Sequence, residues 1–268
     1  MLKPPPELCA LVSHAPVPDA PAILVDDDLL AVADLHIGIE AELQESGVTL
    51  PSQTRKIATR IRELVERTGA RRLVLLGDVK HFIPGISPTE RRDLPIFFNE
   101  LYDAVDEIHI ASGNHDPLLR PYIGEIVTIH KPTGFRIGET GFVHGHAWPA
   151  KDVMAAKVLL MGHNHPAVVF VDALGARHVQ PCWIRVPFRK KHERYAKMPG
   201  EAIVVPAFND LCGGTPVNDV RTKFLGPLVA DEVLRLDRAR LHLLDGTDLG
   251  ALPALKVDAR FRWQDYRQ

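Results

Sequence analysis

Thiols, long apolar runs and an excess of one charge are what this chain is short of. Cys9, Cys182 and Cys212 are the whole cysteine supply in 268 residues, odd in number and widely spaced. A disulfide framework is therefore not expected, and a reducing compartment is the natural reading. Pro4, Pro5, Pro6, Pro16, Pro18 and Pro21 interrupt the N-terminal stretch, which leaves no apolar segment for a signal peptide. No later run approaches the ~20 residues that a membrane helix needs. The expectation is a soluble cytoplasmic protein with no membrane partner. With 34 acidic and 32 basic residues, the formal charge is only −2. Such a balance neither favours nor excludes a polyanionic partner, so any nucleic-acid affinity must come from a local patch.

Histidine, by contrast, is concentrated. Five short motifs run in order along the chain: Asp34-Leu35-His36, Gly77-Asp78, Gly113-Asn114-His115-Asp116, His144-Gly145-His146 and Gly162-His163-Asn164-His165. Seven of the 13 histidines lie in or beside them. Most motifs follow a short apolar run, as Leu73-Val74-Leu75-Leu76 precedes Gly77. Runs of that kind read as buried strands, which puts the polar residues where strands end and loops begin. In open α/β sheets that edge is where sites are built.

The first half reads as alternating strands and helices. Residues 22–26 and 29–33 suggest a hairpin. A helix is expected from Ser52, as N-cap, to Thr68, closed by Gly69 and striped with Ile57, Ile61, Leu64 and Val65. Strand 72–76, a helix over roughly 93–104 with Pro95 in its first turn, and strand 107–111 follow. After about residue 126 short strands dominate: 126–130, 135–138, 141–144, 158–161, 167–172, 177–184 and 202–206. Residues 231–236 and 240–244 are a further expected pair, and Leu174-Gly175 suits a hairpin turn. The pattern implies a mixed α/β fold: a two-sheet sandwich flanked by helices, with the site at the C-terminal ends of strands. Neither a repeat nor a long linker divides the chain, so 1–268 is read as a single domain, with a basic loop or hairpin insertion at about 175–200.

The ligand types suit two divalent cations side by side. Asp34, His36 and His165 fit one, Asn114, His144 and His163 fit the other, and Asp78 can bridge them, holding two ions roughly 3.5–4 Å apart. Two such ions against two carboxylates leave a local charge of about +2, which attracts phosphate, and they lower the pKa of a shared water. Imidazole, carboxylate and amide ligands without thiolate favour manganese, iron or zinc over calcium or magnesium, with manganese taken first.

These motifs resemble the calcineurin-like metallophosphoesterase superfamily, whose pattern is D-x-H, G-D, G-N-H-[DE], H and G-H-x-H. The resemblance covers roughly residues 29–170. It implies a two-sheet sandwich with a dinuclear site, and it gives His115 the role of stabilising the transition state and protonating the leaving oxygen. Where many phosphatases of the superfamily carry an Asp, this chain has His81, in Gly77-Asp78-Val79-Lys80-His81. That wording, Asp34-Leu35-His36-Ile37-Gly38-Ile39-Glu40 and Pro206-Ala207-Phe208-Asn209-Asp210-Leu211 are similar to the small SbcD-related phosphoesterases of archaea and the DNA-ligase-associated metallophosphoesterases of bacteria. The resemblance implies a DNA nuclease of repair or end processing, acting on single- or double-stranded DNA, with a helicase or DNA ligase partner. The rival readings are a phosphodiesterase for a small nucleotide or other small phosphodiester, and a non-catalytic nucleic-acid-binding subunit.

Other residues admit two readings. His81 is weighed as a nucleic-acid or proton-transfer residue against a structural histidine. Asp116 is grouped with the catalytic residues, as a loop holder or an orienter of His115 rather than a ligand. His146 either touches phosphate or orients a ligand. Arg185, Arg189, Lys190, Lys191 and Arg194, interleaved with Trp183, Phe188 and Tyr195, offer phosphate contacts and base stacking near the cleft; the alternative is a solvated loop whose aromatics pack on the core. Arg55, Lys56, Arg60, Arg62 and Arg67 are read as a solvated helix face balanced by Glu63 and Glu66.

Overall fold

The computed structural model describes residues 13–257, so Cys9 and the first proline cluster lie outside the described residues. Among the described residues, six strands form the first sheet in simple sequence order. They are β1 (His14–Pro16), β2 (Ala22–Val25), β3 (Leu29–Val32), β4 (Arg72–Leu75), β5 (Glu107–Ala111) and β6 (Val127–His130). The β1–β2–β3 pairings are antiparallel, and β3 to β6 run parallel. Crossovers through α1 (Ile39–Glu45) and α2 (Thr54–Thr68) join β3 to β4, and α3 (Pro88–Leu101) joins β4 to β5, as parallel pairing requires.

The second sheet collects β7 (Phe135–Ile137), β8 (Thr140–Val143), β9 (Val158–Met161), β10 (Pro166–Val171), β11 (Arg177–Pro187), β12 (Glu201–Val204) and β13 (Thr215–Pro216). Its order is β13-β10-β11-β12-β9-β8-β7, with β14 (Arg240–Leu243) and β15 (Asp248–Ala251) joined through β11. A short helix, α4 (Pro227–Ala230), lies between β13 and β14.

The inner faces of the two sheets meet in one apolar layer that includes Ile23, Leu29, Ala31, Val74, Phe135, Phe142, Leu160, Trp183 and Ile203. The outer face of the first sheet is covered by α2, through Ile57, Ile61, Leu64 and Val65, and by α3, through Leu94, Phe97, Phe98 and Leu101. Burying side chains of this size is worth about 1.5–3 kcal/mol each. The fold is therefore a mixed α/β sandwich with the long helices α2 and α3 on one outer face and the short α4 packed through Leu228 on the second sheet's own core cluster. No helix of the described residues is long and apolar enough to cross a membrane.

Several local expectations change. The N-cap of α2 is Gln53, without a side-chain cap of its own; the Ser52 hydroxyl, one residue earlier, donates to Asp93 at 2.7 Å and accepts from the Thr54 amide at 3.3 Å. Gly69 does close that helix, at φ 71°. Helix α3 starts five residues before 93: Ser87 and Glu90 form a reciprocal capping box and Pro88 stands in the first turn. Pro95 therefore sits in the helix interior, and the carbonyl it frees belongs to exposed Arg91, where water can accept the loss. Residues 231–236 are not a strand; β14 pairs instead with β11 and β15. Of the stretch at 175–200, residues 177–187 are not a loop but a strand built into the sheet.

Candidate metal centre

Strand direction brings the motifs together. Parallel β3, β4 and β5 release Asp34, Asp78 and Asn114 at one edge, and parallel β8 and β9 release His144 and His163. Two glycines make room for candidate ligands, Gly77 across the two sheets and Gly113 beside the neighbouring strand end. A Cβ at Gly77 would lie 2.6 Å from the His144 ring, and one at Gly113 would lie 2.1 Å from the Asp78 carboxylate. Any side chain there would displace a candidate ligand. Asp34, His36, Asp78, His163 and His165 all have positive φ, between 41° and 72°. Each such residue costs on the order of 1–3 kcal/mol and persists only where its surroundings impose it. Five of them on seven candidate ligands make this the most strained part of the molecule.

Asp78 stands at the middle. Its Oδ2 lies 3.3 Å from His144 Nε2, 3.6 Å from His36 Nε2 and 4.0 Å from His115 Nε2. On one side, Asp34 Oδ1 is 3.4 Å from His165 Nε2, and the Asp34 carboxylate accepts from the His163 amide. On the other, Asn114 Oδ1 is 3.2 Å from His144 Nε2. Donor atoms of Asp34, His36 and Asp78, and of Asp78, His144 and His163, lie within 4.8 Å of one another. The structure thus gathers all seven candidate ligands with Asp78 between two groups.

Tautomers follow from the outer bonds. His144 Nδ1 donates to the Leu76 carbonyl at 2.8 Å, which leaves Nε2 for the centre. His115 Nδ1 donates to the His81 carbonyl, which likewise leaves Nε2 facing Asp78.

Whether cations suit this centre can be judged from two features. His36 Nε2 and His146 Nδ1 are buried with no hydrogen-bond partner, an expensive state for a polar atom unless something else engages it. The electrostatics agree. Burial works against ionised Asp78, yet His144, His36 and the His115 amide together hold its pKa well below the usual carboxylate range. Burial also opposes charge on His144, but Asp78 and Asp34 overcome it and raise the imidazole to about 9. His36 and His163, dominated by burial, fall to about 3 and about 4. A centre that draws protons onto one buried imidazole while keeping two others neutral offers carboxylate and lone-pair donors to positive charge. The residues fit divalent ions.

Two residues grouped with the catalytic set have their polar atoms engaged within the protein, Asp116 in the loop-holding place expected of it. Asp116 is buried, and its oxygens accept from the amides of Asp78 (3.0 Å), Val79 (2.8 Å) and Gly113 (2.7 Å). It ties the second motif to the third, with both oxygens spent on backbone. Burial and the Asp78 charge raise it to about 6. His81 has both ring nitrogens engaged: Nδ1 with His36 Nδ1 at 3.2 Å, and Nε2 with Glu42 Oε2. One tautomer set satisfies the whole chain. Glu42 accepts from His81 Nε2–H, His81 Nδ1 accepts from His36 Nδ1–H, and His36 Nε2 is left to the centre. His81 therefore orients His36 rather than standing free in the cleft.

Arg185 and Arg189 of the basic segment are not gathered with the rest, whereas Arg194 packs on Trp148, two residues after His146. Register pairs Pro187 with Glu201 and Glu201 with Val158, at the ends of the strands away from the motifs. Arg185 is bound to Glu201 and Arg189 to Glu232, and Arg194 lies 4.8 Å over the Trp148 ring. Lys190 and Lys191 are exposed. Trp183, Phe188 and Tyr195 are 2%, 8% and 4% exposed, so they are core and not a stacking platform. On α2, the balancing acids are Glu100 and Asp210, in place of Glu63 and Glu66.

Sequence reasoning missed three contributors. Glu42 comes from α1, which no motif marked. Cys212 stands with His36 and His165, its thiol pushed up by burial and so held neutral. Glu90 accepts from the amides of His81 (2.9 Å), Phe82 (2.6 Å) and Ser87 (2.7 Å), which fixes the loop behind His81. Ser87-Pro88-Thr89-Glu90 carried a readable capping-box signal for the last of these. The Pro206–Leu211 stretch acts as a clamp: Phe208 N donates to Ala33 O at 2.8 Å and Asn209 Nδ2 to Leu35 O at 2.8 Å, on either side of Asp34.

No protein-family model matches the chain, and no curated protein matches it in sequence. Among solved structures it is similar to the nuclease MPE of Pseudomonas putida at 17% identity and a TM-score of 0.49, over 87% of this chain and 96% of that one. It is also similar to Yfce, a phosphoesterase from E. coli, at 19% identity and a TM-score of 0.39, over 84% of this chain and 98% of that one. Identities of this size leave the chemistry to be read from the site itself.

Proposed function

We propose that this chain is a dinuclear-metal phosphodiesterase acting on nucleic acid, with DNA as the substrate and repair or end processing as the setting. The observation that carries the reading is the position of Asp78 Oδ2 between His36 Nε2 and His144 Nε2, 3.6 and 3.3 Å away, inside a buried set of imidazoles and carboxylates. Asp34, His36 and His165 would hold one ion, Asn114, His144 and His163 the other, and Asp78 both. When bound, such a pair, manganese by preference, supplies Lewis acidity and an activated water for attack on phosphorus.

The chain's own residues do the rest. His115 keeps its outer nitrogen on the His81 carbonyl, so its Nε2 can carry a proton toward the leaving oxygen. Glu42 and His81 keep His36 turned inward. Asp116 holds the Asp78 and Asn114 loops at a fixed spacing. His146, with its buried Nδ1 unpartnered beside His144, is placed to meet a phosphate oxygen or to steady that ligand.

A second reading, a small nucleotide diester as substrate, is favoured by the pairing of Arg185 and Arg189 with acids near the strand ends away from the motifs. A helicase or ligase partner belongs to the proposal on the motif resemblance alone. The test is hydrolysis of single-stranded DNA, duplex DNA, RNA, an aryl phosphodiester and an aryl phosphomonoester with manganese, beside His115→Ala. DNA cleavage supports the first reading, and aryl diester turnover alone supports the second. No turnover despite two bound ions favours a non-catalytic binding subunit.

A further inference from the structure

Next to the histidine cluster lies a cavity of ≈ 640 Å³ walled by Glu42, Glu45, Phe82, Ile83, Ile86 and His115. Its size is that of a small-ligand site, ~300–1,000 Å³. Its wall is unusual in showing large apolar side chains to solvent: Phe82 is 48% exposed and Ile83 47%. That exposure is built into the structure. Glu90 binds the amides of His81 and Phe82, and the Lys80 ammonium is bound to the Phe82 carbonyl, so the loop is tied down on both sides of the ring.

The chemistry of the wall selects an occupant. Glu45 and Glu42 are exposed carboxylates there; they repel phosphate and accept hydrogen bonds from amino groups. Phe82 offers a π-face. His115, which borders both the cavity and Asp78, joins this space to the reacting phosphorus. A flat, neutral ring that carries an amino group and is attached one sugar away from a phosphate meets all three conditions.

We propose that this cavity binds the nucleobase flanking the scissile phosphate, stacked on Phe82 with its exocyclic amine on Glu45 or the second oxygen of Glu42. The inference rests on the phosphodiesterase reading and names the part of the substrate that reading leaves open. It also supplies the stacking surface that Trp183, Phe188 and Tyr195, being buried, do not provide.

The test uses the full chain loaded with manganese and a dinucleoside monophosphate, which has one phosphodiester bond, beside versions lacking either base. Removing one of the two bases should lower kcat/KM about tenfold or more, the scale of one base–aromatic stack, and Phe82→Ala should do the same to the intact compound. The two changes together should cost no more than either alone, because they remove the same contact. Losses that multiply, or a base-free diester cut as fast as the intact one, would overturn the cavity assignment and leave the phosphodiesterase reading standing. A second measurement needs no turnover and no metal: saturation-transfer NMR with adenosine, which has no phosphate, and ribose as the base-free control. Adenosine should give a signal that ribose does not and that Phe82→Ala abolishes. Adenosine bound in this way with no diester hydrolysed would support the cavity and sink the enzymatic reading. An absent adenosine signal in the unaltered protein would overturn the cavity.

Discussion

The two ends of the second sheet handle charge in opposite ways. At the ends of β8 and β9 that lead into His144 and His163, the buried groups Asp34, Asp78 and His144 are held by backbone amides and carbonyls. At the other end, around Pro187 and Glu201, cations are exposed and held by other side chains, as Arg185 is by Glu201 and Arg189 by Glu232. Buried groups held by a rigid backbone keep their geometry and invite a ligand. Exposed pairs of long side chains are screened by solvent and contribute little, about 0–1 kcal/mol. The comparison teaches that positive charge written in a sequence is a weaker pointer to function than negative charge buried at a strand end.

Four variants would break or sharpen that contrast. The largest effect is expected from Asp78→Ala, which removes the residue shared by both halves of the centre. Turnover should fall by at least about 10³-fold, as for a member of a unit that acts together, and elemental analysis should find fewer than two ions per chain. His115→Ala comes next. It should cost about 10²–10⁴-fold in kcat while both ions stay bound, since general acid catalysis is worth that much; loss of an ion would instead make His115 a ligand. Glu42→Gln should be milder. It replaces the carboxylate at the outer end of the His81–His36 chain and should weaken metal binding about 10- to 100-fold, read by titration calorimetry; unchanged affinity would mean that the chain does not orient His36. The smallest effect belongs to Arg189→Ala, Lys190→Ala and Lys191→Ala combined. Stability should shift by no more than about 1 kcal/mol, and the slope of DNA affinity against salt should stay the same. A slope reduced by about 2–3 would return the basic segment to the substrate path.

The legible part of the site was the part with a local signature. Apolar runs of four or five residues marked β3, β4 and β9, and the polar residues just after them are among those that converge. Gly77 and Gly113 were legible only as members of their motifs; the fold shows that each makes room for a ligand from elsewhere. His81 was visible as a departure from a pattern, but its partner Glu42 was not, because nothing in a short helix distinguishes one surface glutamate from its neighbours. The segment from Arg185 to Arg194 misled for the reverse reason. Its composition suited a polyanion, while its aromatics were answering to the core and two of its arginines to distant acids.

Local order along the chain was enough to determine the strands, their polar ends and the identity of the groups that gather there, since periodicity and residue chemistry are properties of neighbouring residues. Tertiary structure alone decided that Asp78 lies midway between His36 and His144, that Asp116 serves amides, and that Phe82 borders the centre where Phe188 does not. Those outcomes depend on which strand ends share an edge and which side chains remain uncovered. Both are set by long-range pairing and packing, which no short stretch of sequence encodes.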